Sequence, residues 1–531
     1  MLDDRLPDWS RQGLAADANE MRRIRAALDD TRNPTVAQLR ASTVQLDDEL
    51  ARANLDVRLA EHASGFFHAR NPALWTGEAI FGVVSLMIRD FAPAVERLPS
   101  IAARLRAIPA FLAQLPVTVT AVPHVWIARA ARECAAAEGL FDRGLRGWLT
   151  LHGIDDDAAA PVQSAAADAR NAFAQVATWL GALPTSTTVS YAVGEETFTQ
   201  LLQRGHFCDE SPSALLYRAL SELPIEQATL AAMVTERGES WSETQAAMAA
   251  DHPTVDEYYD TFQRRWDDCH RIATQHDVVT WEPWPIRYVP IAGWAREFAP
   301  SLYWLFYRSP APFDPYTTYE YVVTPIDDTL APDEAERRLR AWNCSTITLN
   351  HVVHHGAVGH HVQNWHARHR ATSRIGRIAA TDCASRIAMF GGGSMAEGWA
   401  CYATQLIEEL GMCTPLEVIS EQHTRVRMLA RAIVDIRLHL GLCTFVEAVQ
   451  FYQDTVGMPV DVATAEATRN SMFPCTAIMY WLGTTTILAL RATMQAAQGE
   501  LFSMRAFHDE LLSRGAIPVR LAATLMTESI A

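Results

Sequence analysis

Seven of the chain's 18 histidines fall within the 22 residues LNHVVHHGAVGHHVQNWHARHR (349–370): His351, His354, His355, His360, His361, His366 and His369. Neutral imidazole is the commonest metal ligand, and several imidazoles together are costly to bury without a task, so the first five point to a metal site. His366 and His369 sit among arginines and read as part of a solvated helix face. On a straight helix, residues four apart lie about 40° apart and about 6 Å along the axis, a spacing that suits one zinc ion. His351 and His355 have it. His354 and His360 are separated by about 240° of turn and converge only if the helix breaks between them. Gly356 and Gly359 stand in that gap and permit a break. Geometry alone leaves both pairs open.

A third ligand must come from another element. The segment GGGSMAEGWACYATQLIEEL (391–410) opens on glycines and continues as a strong helical pattern, with Glu397 expected in its first turn and Trp399 and Tyr402 behind it. A carboxylate there either complements the helix dipole or completes a two-histidine, one-glutamate zinc centre with a position left for water. Beside the histidine cluster the ligand role is favoured.

The elements that must hold these groups are mostly helical. Apolar residues recur at helical spacing in SIAARLRAIPAFLAQL (100–115), in 155–183, in SALLYRALSEL and in 254–275. Near residue 277 the texture changes. VVTWEPWPIRYVPIAGW is extended or loop-like, and TTYEYVVTP (317–325) has the composition of a short strand, expected at a sheet edge. Helical patterns resume from 333. The expectation is a mainly α, multi-helix fold with a small β element near the site, divided into an N-terminal helical lobe (1–276) and a metal-binding lobe (277–531) packed closely together.

Composition excludes several chemistries. All 45 basic residues are arginine; the chain has no lysine, which removes Schiff-base, pyridoxal-phosphate, P-loop and carbamylated-lysine mechanisms. A formal net charge of −17 repels nucleic acid and anionic membrane, so neither is an expected partner. The start is acidic and unlike a secretory signal, and the apolar run 79–88 is too short to span a bilayer. Nine scattered cysteines without a CxxC pair suit a reducing, cytoplasmic setting. Cys383 and Cys401 are minor candidates for a nucleophile.

The segment His354-His355-Gly-Ala-Val-Gly359-His360-His361-Val-Gln363 resembles the HE-x-x-P-G-H-H-x-Q motif of the bacterial domain-of-unknown-function 885 family, whose members resemble helical gluzincin-type zinc metallopeptidases. AEGWACY resembles the family's E-G-W-A-x-Y. ARAIVDIRLHLG (430–441), EATRNSMFPCTAIMYWLG (466–483) and FHDELLSRGAIPV (507–519) are similar to three further family stretches in order. The resemblance covers most of the chain. It implies His354 and His360 as zinc ligands with Glu397 as the third, one Zn2+ per chain, and His361 as a neighbour. It implies Tyr480 as a donor to a tetrahedral oxyanion. Arg469, with its bidentate fork, is a candidate binder of a substrate carboxylate, or else a partner of Glu466 on its own helix. Asp435 is expected to orient a zinc histidine or to pair with His439. The expected activity is hydrolysis of an amide or peptide-like bond in a small molecule or short peptide.

The chain departs from the motif where it matters most. The family's glutamate after the first histidine is the general base in metallopeptidases; here the residue is His355. The family's proline is Val358, and Thr476-Ala477 stands for a Gln-Ala pair. Imidazole has a reference pKa near 6.5 and serves as a base near neutral pH. His355 thus admits three roles: a replacement base, a participant in a different metal-dependent reaction such as a lyase or tailoring step, or a relic in a zinc-binding homologue without catalysis.

Overall fold

The computed structural model describes residues 5–29, 34–88, 91–184, 189–282, 285–302, 306–313, 318–380 and 391–527. The chain is mainly α-helical with one three-stranded sheet. It divides into two compact units, the first made of Met1–Ala27, Arg58–Val193 and Ile291–Leu305, the second of Leu28–Val57, Gly194–Pro290 and Phe306–Ala531. No helix of the described residues is long and apolar enough to cross a membrane.

In the first unit the apolar periodicity does what the sequence suggests. Helix Ala94–Ala113 buries Ile101, Leu105, Ile108 and Leu112, spaced three or four residues apart, and packs on Asp156–Ala182. That second helix starts where Asp155 accepts a hydrogen bond from the Ala158 amide at 2.8 Å. Trp75, Trp126 and Trp148 are fully buried around them.

The second unit holds the site, and its relevant elements are labelled in chain order: α1 (Tyr258–Gln275), β1 (Ile286–Pro290), β2 (Tyr307–Arg308), β3 (Tyr319–Val323), α2 (Thr346–Gly356), α3 (His360–His369), α4 (Gly393–Glu409), α5 (Pro415–His439), α6 (Val460–Met472) and α7 (Met479–Gln498). The division does not follow a single break at 277. Arg265 on α1 donates to Thr348 Oγ1 at 2.8 Å and pairs with Glu417, and Trp266 donates to the Gly356 carbonyl at 2.8 Å. These bonds tie 258–275 to the histidine segment, whatever the change of texture that follows.

The sheet order is β1–β3–β2, with β1 parallel and β2 antiparallel to β3. The strand expected at an edge is therefore the central one. Its residues Tyr319, Tyr321, Val322 and Val323 are all buried, as suits a strand covered on both faces. Helices α4 and α7 cross at glycines: a Cβ on Gly398 would stand 2.5 Å from the Gly483 Cα. Only paired glycines allow that approach, and it sets Glu397 and Tyr480, both next to the crossing, on neighbouring backbones.

Candidate metal centre

The histidine segment is a broken helix. α2 is a π-helix, a rare form that is frequent at functional sites. It ends at Gly356. Ala357 (φ −125°, ψ −119°) and Gly359 (φ −67°, ψ −121°) turn the chain, and α3 begins at His360. A break frees carbonyls that need donors once buried. Two indoles supply them: Trp266 Nε1 at Gly356 O, and Trp399 Nε1 at Val358 O (2.8 Å) and Gly359 O (3.2 Å). Gly359 has no room for a side chain, because a Cβ there would overlap the His354 carbonyl. Gly359→Ala is thus expected to cost about 3 kcal/mol, at the upper end for overpacking, with a lowered denaturation midpoint and a loosened metal site.

The break brings His354 and His360 together. Their rings meet edge to face at 4.9 Å. Glu397 Oε2 lies 3.3 Å from His354 Nε2 and 3.7 Å from His360 Nε2. Ligands about 2.0–2.1 Å from a tetrahedral zinc ion stand roughly 3.4 Å apart, so the carboxylate is at ligand spacing from both imidazoles, which themselves offer donor atoms within 4.8 Å of each other. Glu397 is the fifth residue of α4, beyond its first turn, so the dipole does not account for its placement. Burial pushes its carboxyl pKa up, but the two imidazoles beside it, His354 and His360, prevail and hold it well below the usual range. Burial keeps His354 below its ordinary value, hence neutral and able to offer a lone pair. The His360 Nδ1 donates to Gln363 Oε1 at 3.4 Å, which turns Nε2 toward Glu397.

His355 stands beside the pair, its ring 4.7 Å from His354 and 5.4 Å from His360. One donor atom from each of the three histidines lies within 4.8 Å of the others. The His355 Nδ1 donates to the Asn350 carbonyl at 2.6 Å, leaving Nε2 with a lone pair. Burial, reinforced by the two neighbouring imidazoles, holds it well below its ordinary pKa.

The other histidines go elsewhere. His351 stacks on Trp342 at 4.1 Å, and its Nδ1 lies 2.5 Å from the Tyr321 hydroxyl, so the His351–His355 pair is not the one that converges with Glu397. His361 is buried against Tyr319. His366 is buried as well, 2.9 Å from Thr280 O, rather than on a solvated face; His369 is exposed.

Tyr480, the second residue of α7, accepts a hydrogen bond from Arg469 Nη2 at 3.1 Å. Burial raises its pKa, and the Glu397 carboxylate adds to the effect, so it stays a phenol able to donate. Arg469 does not pair with Glu466, which is held instead by Nε and Nη2 of Arg431 (2.6 and 2.7 Å) and by Arg427 at 3.0 Å. Asp435 contacts no site histidine. It accepts the amides of Cys475 and Ile478 at 3.0 Å each and lies 3.7 Å from His439. Cys475 has φ +62°, a strained value for a residue with a side chain, and its carbonyl is 2.7 Å from His206 Nε2. Asp435 and His206 thus clamp the turn that launches Tyr480.

Burial depresses His206 from 6.5 to about 4, and His508, between Tyr402 and Val278 O, likewise. A depressed histidine stabilises the fold fully above its unfolded pKa, and the contribution is lost as pH falls through the folded value. The thermal midpoint should therefore fall between pH 6.5 and 4. His206→Gln, which keeps an N–H for Cys475 O, should make that fall shallower in calorimetric scans.

The periodicity gives no sign of the tyrosines from the sheet. Tyr307 stacks near His360 at 6.3 Å and Tyr321 approaches His355 at 5.3 Å; the tyrosine-rich composition of 316–321 is the only signal in the sequence. Cys401 is buried, and burial together with Glu397 pushes its thiol well above the ordinary range, which disfavours a nucleophilic thiolate. Cys383 lies outside the described residues.

The fold is shared with two solved structures. A candidate lipoprotein of unknown function from Shewanella oneidensis is 20% identical, with a TM-score of 0.74, over 98% of this chain and 93% of that one. A candidate lipoprotein from Colwellia psychrerythraea is 15% identical, with a TM-score of 0.69, over 98% and 91%. No curated protein matches the chain. The family model described as bacterial protein of unknown function (DUF885) matches residues 1–526. With nearly its whole length matched, the chain belongs to the DUF885 family.

Proposed function

We propose that the protein is a zinc-dependent hydrolase of an amide or peptide-like bond in a small molecule or short peptide. The observation that carries this is the convergence of His354, His360 and Glu397 across a break that only glycine at 359 permits. When bound, zinc supplies Lewis acidity toward a carbonyl and acidifies water. The remaining work falls to side chains. His355 replaces the glutamate of gluzincin-type peptidases: with Nδ1–H fixed on Asn350 O, its Nε2 takes a proton from water. Tyr480, its oxygen oriented by Arg469, donates its proton to the negative charge that develops on the carbonyl oxygen. Tyr307 and Tyr321 form an aromatic wall beside the histidines.

A second function is favoured by one observation, the mutual closeness of His354, His355 and His360. Three histidines also form a zinc centre. With His355 as a ligand the base is gone, and the protein is then a metal-dependent enzyme of another kind or a zinc-binding homologue without catalysis. Elemental analysis of protein purified without added metal, with cleavage assays on acylated dipeptides, tests the primary proposal. One zinc per chain and measurable cleavage are expected; a folded protein that neither holds nor takes up metal refutes it.

A further inference from the structure

Next to the candidate metal centre, α5 and α6 carry three guanidinium groups and one carboxylate: Arg427 and Arg431 pair with Glu466, while Arg469 bonds to Tyr480. Glu466 is used up by Arg431, which grips both its oxygens, and by Arg427. Arg469 makes no ion pair among the described residues, and it is solvent-exposed. Two positive charges are thus left over in a chain whose net charge is −17. This excess faces the site. Arg431 lies over the Tyr480 ring at 5.1 Å and is among the charges felt by His354, while Tyr480 feels Glu397. An unpaired guanidinium that is accessible to solvent, but anchored through one nitrogen to a buried phenol, is poised to take an anion on its remaining donors.

We infer that Arg469 and Tyr480 form a carboxylate-binding subsite, so that the substrate carries a free carboxylate within about three residues of the bond that is cleaved. The span follows from the geometry. From the oxygen that Tyr480 would serve, one hydrogen bond reaches the phenol, a second reaches Arg469 at 3.1 Å and a third reaches the carboxylate. Three such bonds, with about 2.3 Å between neighbouring guanidinium nitrogens, extend over roughly 9–11 Å, the length of about three extended residues. A carboxylate suits the place better than a phosphoryl group, because a single planar fork matches two oxygens in one plane. The subsite rests on the hydrolase proposal for its meaning, but not for its test.

The test is equilibrium binding of acetyl-triglycine and of its C-terminal amide to the full-length chain, both zinc-stripped and zinc-loaded. The free acid is expected to bind about tenfold or more tightly than the amide in both forms, the scale of a charge-assisted pair. Arg469→Gln should abolish the preference while zinc content stays unchanged. Arg469→Lys should retain only part of it, because an ammonium cannot grip both oxygens. Equal binding of acid and amide to the wild-type chain, absence of binding by either, or a preference that survives in Arg469→Gln overturns the subsite. If Arg469→Gln does not fold, Arg469→Lys decides, and a preference at the wild-type level then overturns it. Inorganic phosphate displacing the acid at lower concentration than acetate would overturn the assignment to carboxylate. If the preference holds and no amide bond is ever cleaved, the hydrolase proposal fails and the subsite stands. If amides are cleaved as fast as acids with no preference in binding, the reverse is true.

Discussion

Glu397→Ala is expected to lose its metal and keep its fold. The carboxylate lies within 4 Å of both His354 and His360. Without it, two imidazoles and water remain. Loss of a residue that merely orients a ligand already costs 10–100-fold in metal affinity (roughly), so loss of a ligand should cost more than about 100-fold. The fold should survive for two reasons. The surrounding core is large and apolar, with Met395, Trp399, Tyr402 and Ala403 of the same helix fully buried. Removing Glu397 also strands no buried charge, because burial keeps His354 neutral. Zinc content after dialysis and the thermal midpoint, measured together, check this. Metal retained at the wild-type level would mean that the ion sits on the three histidines alone.

The sequence made one half of this site legible and hid the other. The clustering of His354, His355 and His360 signalled a candidate metal site, and the two glycines between them a broken helix, since glycine in a helical pattern marks a distortion. The break appears at Gly356–Gly359, as that argument requires. Periodicity could not say what holds a break open. The answer is long-range: Trp266 comes from 90 residues before Gly356 and Trp399 from about 40 residues after it, and an indole that caps carbonyls looks in sequence like any core tryptophan. The zinc-orienting role expected of Asp435 failed for a related reason. An aspartate four residues before His439 suggests a local pair, and the two do lie 3.7 Å apart, but its hydrogen bonds go to backbone amides 40 and 43 residues away. TTYEYVVTP was recognisable as a strand from its β-branched and aromatic residues, but position within a sheet depends on partners. The two-residue strand Tyr307–Arg308 that makes β3 central is too short to leave a pattern.

His355 carries the second large effect, because it separates a base from a ligand. As the base, His355→Ala should keep zinc and lower turnover by roughly 100-fold or more, the usual scale for a positioned base. The imidazole is well placed for it: Nδ1 is anchored at 2.6 Å on Asn350 O, and burial beside two other imidazoles keeps Nε2 unprotonated at neutral pH. As a ligand, the same substitution should release the metal, because His355 would be one of three imidazoles around the ion. Zinc content therefore distinguishes the two before any substrate is known. His355→Glu adds a second discriminator. It places a carboxylate next to His354, as in the peptidases that the motif resembles. If the surroundings, above all Tyr480 and Arg469, serve amide hydrolysis, this variant should hold zinc and cleave acylated dipeptides at least as well as the wild type. If the site has been adapted to other chemistry, His355→Glu should hold zinc and cleave nothing. The anchor on Asn350 O sharpens the expectation, because glutamate cannot donate to that carbonyl when ionised. The carboxylate would be released toward the metal side, so a gain of peptide cleavage would locate the catalytic power in the position of the base, and its absence would locate it in the imidazole itself.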